Sequence, residues 1–154
     1  MTLVLREDQS AQIREYLQRA YPEEGCGVML GGEQDGRREV ARIVAFENQR
    51  EDSRHNRYLI SPEQFLAAER AGREQGLDVL GFFHSHPDHP AEPSAFDLEH
   101  AWPYYSYVIV SVLAGRIGEM RSFRLADDRS HFDTETIELL EGAAGAPGPA
   151  GEIQ

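Results

Sequence analysis

The run Val79-Leu80-Gly81-Phe82-Phe83 constrains this chain more than any other stretch. It is apolar without a break and too short for a buried helix, so it reads as a strand covered on both faces. His84-Ser85-His86 follow at its C-terminal end. Alternate residues of a strand share a face at a backbone spacing of about 6–7 Å, so both imidazoles can reach one ion while Ser85 points away. Pro87, Pro90 and Pro93 then interrupt the ladder and impose a turn-rich loop. From Ser94 to Ala101 the chain reads as the start of a helix, with positions 94 and 97 on one face of its first turn. Asp97 can therefore close a His, His, Asp set. Three protein ligands leave a fourth tetrahedral position for water, the pattern of a catalytic zinc site. Each part alone has a plainer reading: Ser94-x-x-Asp97 fits a helix cap, and a His-x-His at a strand end is usually solvated or hydrogen-bonded. The conjunction of strand, pair, proline-broken loop and helix start points to a metal.

The rest of the chain supplies a sheet and helices around that strand. Leu3-Val4-Leu5 reads as a first strand, followed by a helix capped by Asp8 or Ser10, with Ile13, Tyr16, Leu17 and Ala20 at helical spacing and Pro22 as its end. Cys26 to Leu30 and Glu39 to Phe46 read as strands around Gly31-Gly32-Glu33-Gln34-Asp35-Gly36, where Asp35-Gly36 is a strong hairpin signal. Glu47 to Arg57 is polar and reads as a rim loop, with Asn48 and His55 as turn and solvated residues; Tyr58-Leu59-Ile60 is a short strand. Ser61-Pro62-Glu63-Gln64 is a cap, a first-turn proline and a capping-box glutamine for a helix running to about Gln75, stopped by Gly76. Tyr107 to Leu113 and Ile117 to Leu125 form a second hairpin around Ala114-Gly115-Arg116, and His131 to Leu140 reads as a final strand or a short helix. The expected architecture is α/β: a single domain with a largely antiparallel mixed sheet flanked by helices.

At 154 residues the chain is one domain with room for a core of its own. The domain is expected over 1–141, and 142–154, almost all Gly, Ala and Pro at its start, reads as a disordered tail. The net charge of −12 excludes a nucleic-acid partner, because no basic stripe exists to displace counterions. All fifteen basic residues are arginine, which rules out a lysine Schiff base and a Gly-Lys phosphate loop. One cysteine, Cys26, forms no internal disulfide; at the start of an apolar strand it reads as a buried, inert thiol. No apolar run approaches about 18 residues, so no membrane span is expected and the protein reads as cytoplasmic.

His84-Ser85-His86, seven residues, Ser94, two residues, Asp97 resembles, without a gap, the JAMM motif of the MPN-plus zinc metalloproteases. Tyr21-Pro22-Glu23-Glu24-Gly25-Cys26-Gly27 is similar to that family's Pro-x-Glu-x-Cys-Gly segment, and the likeness extends over roughly residues 1–125. The resemblance implies a deaminase-like layering of sheet and helices, zinc on His84, His86 and Asp97, Ser94 as an oxyanion donor and Glu24 as general base. Glu23 is the alternative base, since adjacent strand residues face opposite ways and only one can look at the metal. Compact bacterial members of the family imply a partner, a ubiquitin-fold sulfur-carrier protein cut at its C-terminal Gly-Gly to release an extension or an attached cysteine. A zinc peptidase acting on small peptides, or a non-catalytic MPN scaffold, are the competing readings. A zinc nucleobase deaminase is excluded, because one cysteine cannot supply its Pro-Cys-x-x-Cys pair.

Overall fold

In a computed structural model, the described residues are 1–46 and 60–141, with the backbone of 151–152. The expectations for Asn48, His55, the strand at Tyr58-Leu59 and the tail over 142–150 lie outside them. The elements run β1 (Thr2–Arg6), α1 (Glu7–Ala20), β2 (Cys26–Gln34), β3 (Arg37–Phe46), α2 (Pro62–Glu74), β4 (Asp78–Pro87), α3 (Ala95–His100), β5 (Ser106–Leu113), β6 (Arg116–Leu125), β7 (Phe132–Leu140) and β8 (Gly151–Glu152).

The strands form one mixed sheet in the order β1-β7-β6-β5-β4-β2-β3-β8, and it curls far enough for β1 to pair with β3 as well. The long ladders β2–β3, β2–β4, β5–β6 and β6–β7 are antiparallel, while β4–β5 and β1–β7 are parallel. β4 therefore lies in the interior of the sheet, between β2 and β5, with every residue from Val79 to Pro87 buried. Gly81 is where β4 and β5 approach most closely: a Cβ there would stand 1.9 Å from the Ser106 carbonyl oxygen, so only glycine fits.

Two apolar clusters cover the two faces. Leu3, Leu5, Ile13, Leu17, Met29, Leu80, Phe83 and Val108 gather under α1. Cys26, Val28, Val44, Phe46, Ala68, Phe82, Ala101 and Tyr107 gather under α2 and α3. Phe82 and Phe83 thus point to opposite faces, and by strand alternation His84 and His86 fall on the α2/α3 face.

Four local expectations are adjusted. α1 starts at Glu7 directly after β1, and the Gln9 side chain, not Asp8 or Ser10, closes its start by accepting the Arg6 N–H at 2.9 Å. β2 and β3 run past the expected ends to a two-residue turn, Asp35 (φ 54) and Gly36 (φ 80), because positive φ at both positions suits the twist of a hairpin. Residues 132–140 are a strand, paired with β1 and β6, which decides between strand and helix. Within the expected tail, Gly151 and Glu152 pair in parallel with Val44 and Ala45 on the outer edge of β3, where unpaired backbone groups accept a passing extended segment. The Ser61/Gln64 capping box of α2 and the Gly76 stop (φ 72) are as expected. No helix among the described residues is long and apolar enough to cross a membrane.

Candidate metal centre

His84 and His86 stand at the C-terminal end of β4, and Asp97 is brought over them by the first turn of α3. A capping box fixes that turn. The Ser94 hydroxyl accepts the Asp97 N–H at 3.1 Å, and the Ser94 N–H donates to Asp97 Oδ2 at 2.8 Å. The helix-cap reading of Ser94-x-x-Asp97 is thus realised, and the same cap aims the carboxylate toward the two histidines.

The three side chains are buried and each offers a ligand atom within 4.8 Å of the others. His84 Nε2 lies 3.1 Å from His86 Nε2 and 3.3 Å from Asp97 Oδ1, and His86 Nε2 lies 3.1 Å from Asp97 Oδ2. Zinc bonds of about 2.0–2.1 Å span a tetrahedron whose edge is about 3.3 Å, so the spacing fits such an ion. The tautomer of His86 fits as well. Its Nδ1 lies 3.1 Å from the Pro90 carbonyl oxygen, which can only accept, so Nδ1 carries the proton and Nε2 turns its lone pair toward the other two ligands.

The electrostatics favour a cation. Burial pulls the His84 pKa below its ordinary value, against the opposing pull of Asp97, which keeps the imidazole neutral and able to ligate. Burial works against the Asp97 charge, but His84, the contacts with both imidazoles and the Ser94 N–H together hold its carboxyl well below the usual carboxylate range.

Glu24 is 6% exposed and sits just before β2. β2 pairs antiparallel with β4 so that Cys26 faces His84, and the two chains stay joined one residue further on, where the Ser85 N–H donates to the Gly25 carbonyl at 3.1 Å. Ser85 itself points away from the histidines, and its hydroxyl accepts the Gly25 N–H at 2.9 Å. Glu24, two residues before Cys26, is thus carried toward the end of β4 that bears the histidines. The Glu24 charge adds to burial in pushing the Cys26 thiol up to about 12, so Cys26 stays a protonated, inert thiol. Glu23 is only partly buried. Ser94 is exposed at the mouth of the site.

Several supports escaped the sequence reading. The Ser111 hydroxyl donates to the His89 carbonyl at 2.7 Å, and Asp88 (φ 60) takes the Tyr21 hydroxyl at 2.9 Å and the Ala114 N–H at 2.8 Å. These contacts clamp the loop whose Pro90 carbonyl orients His86. Only the prolines of that loop carried a sequence signal; the clamps join residues up to 67 positions apart. His100 is exposed and stacks on Phe96 at 4.0 Å between ring centroids.

Comparison with known proteins adds relatives to this geometry. A family described as prokaryotic homologs of the JAB domain matches residues 6–126. A probable TtuB-protein conjugate cleaving protease of Thermus thermophilus is 38% identical over 98 residues, covering 64% of this chain and 62% of that protein. A desampylase of Haloferax volcanii is 40% identical over 91 residues, 58% of this chain and 63% of its own length. A CysO-cysteine peptidase of Mycobacterium tuberculosis is 33% identical over 126 residues, covering 81% of this chain and 84% of that protein. The chain thus spans a little over three fifths of the first two relatives. Among solved structures, a Desulfitobacterium hafniense protein aligns with a TM-score of 0.78 at 29% identity over 94% of this chain and 96% of its own. A Salinibacter ruber protein aligns with a TM-score of 0.70 at 44% identity over 96% and 95%. With the match covering most of the domain, the chain belongs to the family of prokaryotic JAB-domain homologues.

Proposed function

We propose that this protein is a zinc-dependent amide hydrolase that cuts after the C-terminal Gly-Gly of a ubiquitin-fold sulfur-carrier protein, releasing an attached protein, extension or cysteine. The observation that carries the reading is the convergence of His84, His86 and Asp97 within 4.8 Å, with the buried Glu24 two residues before the Cys26 that pairs with His84. The names of two relatives agree with it, one a protease cleaving a protein conjugate and one a peptidase acting on a cysteine adduct.

His84 Nε2, His86 Nε2 and one Asp97 oxygen would hold the metal. When bound, zinc supplies a Lewis acid for the scissile carbonyl and a water acidic enough to lose a proton near neutral pH. Glu24 takes the proton of the attacking water and delivers it to the departing amine, so one carboxylate serves as base and then as acid. The Ser94 hydroxyl accepts from the Asp97 N–H, which leaves its own proton to donate to the carbonyl oxygen as negative charge develops there. Burial of both imidazoles and the carboxylate keeps the surroundings low in dielectric, where such charges interact strongly.

The test is a processing assay with a carrier whose Gly-Gly is amide-linked to a reporter. Wild type loaded with one zinc is expected to cleave it, and Glu24→Gln is expected to keep its zinc while losing about 10²–10⁴-fold in kcat. Equal rates for the two proteins, or no cleavage by zinc-loaded wild type, would overturn the reading.

A further inference from the structure

The stretch that carries Glu24 is joined to the metal loop on both sides of that residue. On the side toward β2, the Gly25 N–H donates to the Ser85 hydroxyl at 2.9 Å and the Gly25 carbonyl accepts the Ser85 N–H at 3.1 Å. On the side toward α1, the Tyr21 hydroxyl donates to the Asp88 carboxylate, 2.9 Å from Oδ2 and 3.0 Å from Oδ1. Tyr21 and Gly25 flank Glu24 in the chain, and Ser85 and Asp88 flank His86. Two stretches distant in sequence are therefore fastened at two points, with a buried carboxylate between the anchors of one and a metal donor between the anchors of the other.

Asp88 is built as a fixed post. It adopts φ 60, in the left-handed region that aspartate tolerates better than most side chains. Its N–H donates to the Val112 carbonyl at 2.8 Å and its Oδ1 accepts the Ala114 N–H at 2.8 Å, so backbone and carboxylate are both held by the end of β5 and the turn that follows. That turn also locates the Tyr21 ring: a Cβ on Gly115 would stand 3.7 Å from Tyr21 Cδ1, and the Gly115 carbonyl accepts the Gln18 side-chain N–H at 2.9 Å. The bond between Tyr21 and Asp88 lies at the surface, since Asp88 is exposed and Tyr21 half-buried. A surface contact of this kind adds little to the stability of a fold. What it fixes is where residues 21–25 lie relative to the loop.

Glu24 needs that restraint because it stands outside the ladder, β2 beginning only at Cys26. A residue past a strand end moves with its loop unless the loop is held again beyond it. A general base works within about 2.6–3.2 Å of the proton it takes, and a displacement of about 1 Å can lower a rate about 10²-fold. We propose that Tyr21 and Asp88 are a positioning pair for Glu24: their bond closes residues 21–25 against the metal loop and so sets the distance from the Glu24 carboxylate to the metal donors. The role of Glu24 as base rests on the hydrolase reading above, whereas the restraint on its position does not.

Tyr21→Phe isolates the bond, because it keeps the ring and leaves both anchors of Asp88 in place. In zinc-loaded protein, backbone order parameters from nitrogen-15 relaxation at Glu23 and Glu24 are expected to fall from about 0.85 toward about 0.6, with β4 unchanged. In the processing assay, kcat should fall about tenfold or more while KM stays within about twofold and zinc stays at one per chain. Asp88→Asn retains an acceptor oxygen and should keep most of kcat, whereas Asp88→Ala should not. The double variant Tyr21→Phe/Asp88→Ala should fall no further than Asp88→Ala alone, since both changes remove the same bond. Order parameters unmoved by Tyr21→Phe, additive losses in the double variant, or a kcat lowered only in proportion to zinc lost would overturn the pair. If zinc-loaded wild type cleaved no carrier while the order parameters fell as expected, the hydrolase reading would go and the restraint on Glu24 would stand.

Discussion

The two ends of β4 both bury charge, and they do so in opposite ways. Beside its first half, Arg38 is 1% exposed, yet its guanidinium is matched group by group. It donates to the Leu80 carbonyl and the Ser106 hydroxyl, each at 3.0 Å, to Glu33 at 2.7 Å and to the Tyr104 carbonyl, and it lies 4.9 Å over the Tyr104 ring. Donors meet acceptors, and the Arg38 hydrogen bond draws the Glu33 carboxyl below its ordinary range. At the His84 end the polar atoms converge on one point instead: two imidazole nitrogens and a carboxylate, with no arginine among them, face one another at 3.1–3.3 Å. The first arrangement is complete within the chain. The second is a candidate site for a cation from outside, and on the proposed function that difference separates a structural network from a binding site among equally buried polar groups.

The sharpest way to break this contrast is to delete the charge at each end. Arg38→Leu strips partners from four acceptors at once and is expected to cost about 3–5 kcal/mol in urea unfolding. His86→Leu, measured on metal-free protein, is expected to cost little or to stabilise, because it relieves crowded lone pairs and leaves an apolar group on a buried face. Similar losses in the two variants would mean that the His84 end is also completed by the chain itself.

Zinc should then sharpen the comparison from the other side. With free zinc at a hundred times its dissociation constant, the native state gains about 2.7 kcal/mol, and a chelator should remove that increment. Arg38→Leu should show the same increment on a lower baseline, whereas His86→Leu should show none. Plasma emission analysis of the purified proteins checks the stoichiometry behind both curves.

The candidate site was legible in the sequence because it is local: His84, His86, Asp97 and the capping Ser94 lie within one strand, loop and helix start, so periodicity and capping chemistry reach across it. Glu24 was not legible from spacing. It became a candidate only through family resemblance, and what brings its stretch to the end of β4 is a β2–β4 pairing between residues some 60 positions apart. The Pro90 carbonyl that orients His86 is a backbone atom with no residue signature. Arg38 carried no sequence signal, since nothing in Gly36-Arg37-Arg38-Glu39 tells which arginine turns inward. The sheet's strands were legible where apolar residues alternate or run together, and less so in β7, whose polar face left helix and strand open until pairing with β1 and β6 decided it.

Ser94 tests the contrast at its smallest scale, because one hydroxyl serves both purposes at the metal end. As an N-cap it satisfies the Asp97 N–H, and its loss in Ser94→Ala is expected to cost about 1 kcal/mol. The Asp97 carboxylate keeps its bond from the Ser94 N–H, which belongs to the backbone and survives the substitution, so zinc content should stay close to one per chain. As a donor to the developing oxyanion, the same hydroxyl should be worth about 10²–10³-fold in kcat. The two roles separate in the measurement: a pure cap would lower kcat only in proportion to zinc or folded protein lost, whereas a donor lowers kcat in protein that is folded and fully loaded. Ser94→Thr, which caps a helix nearly as well and carries a hydroxyl, should restore both. If Ser94→Ala retained full activity at full zinc occupancy, Ser94 would belong with Arg38 among the groups that build the fold, and the oxyanion would have to be met by zinc alone.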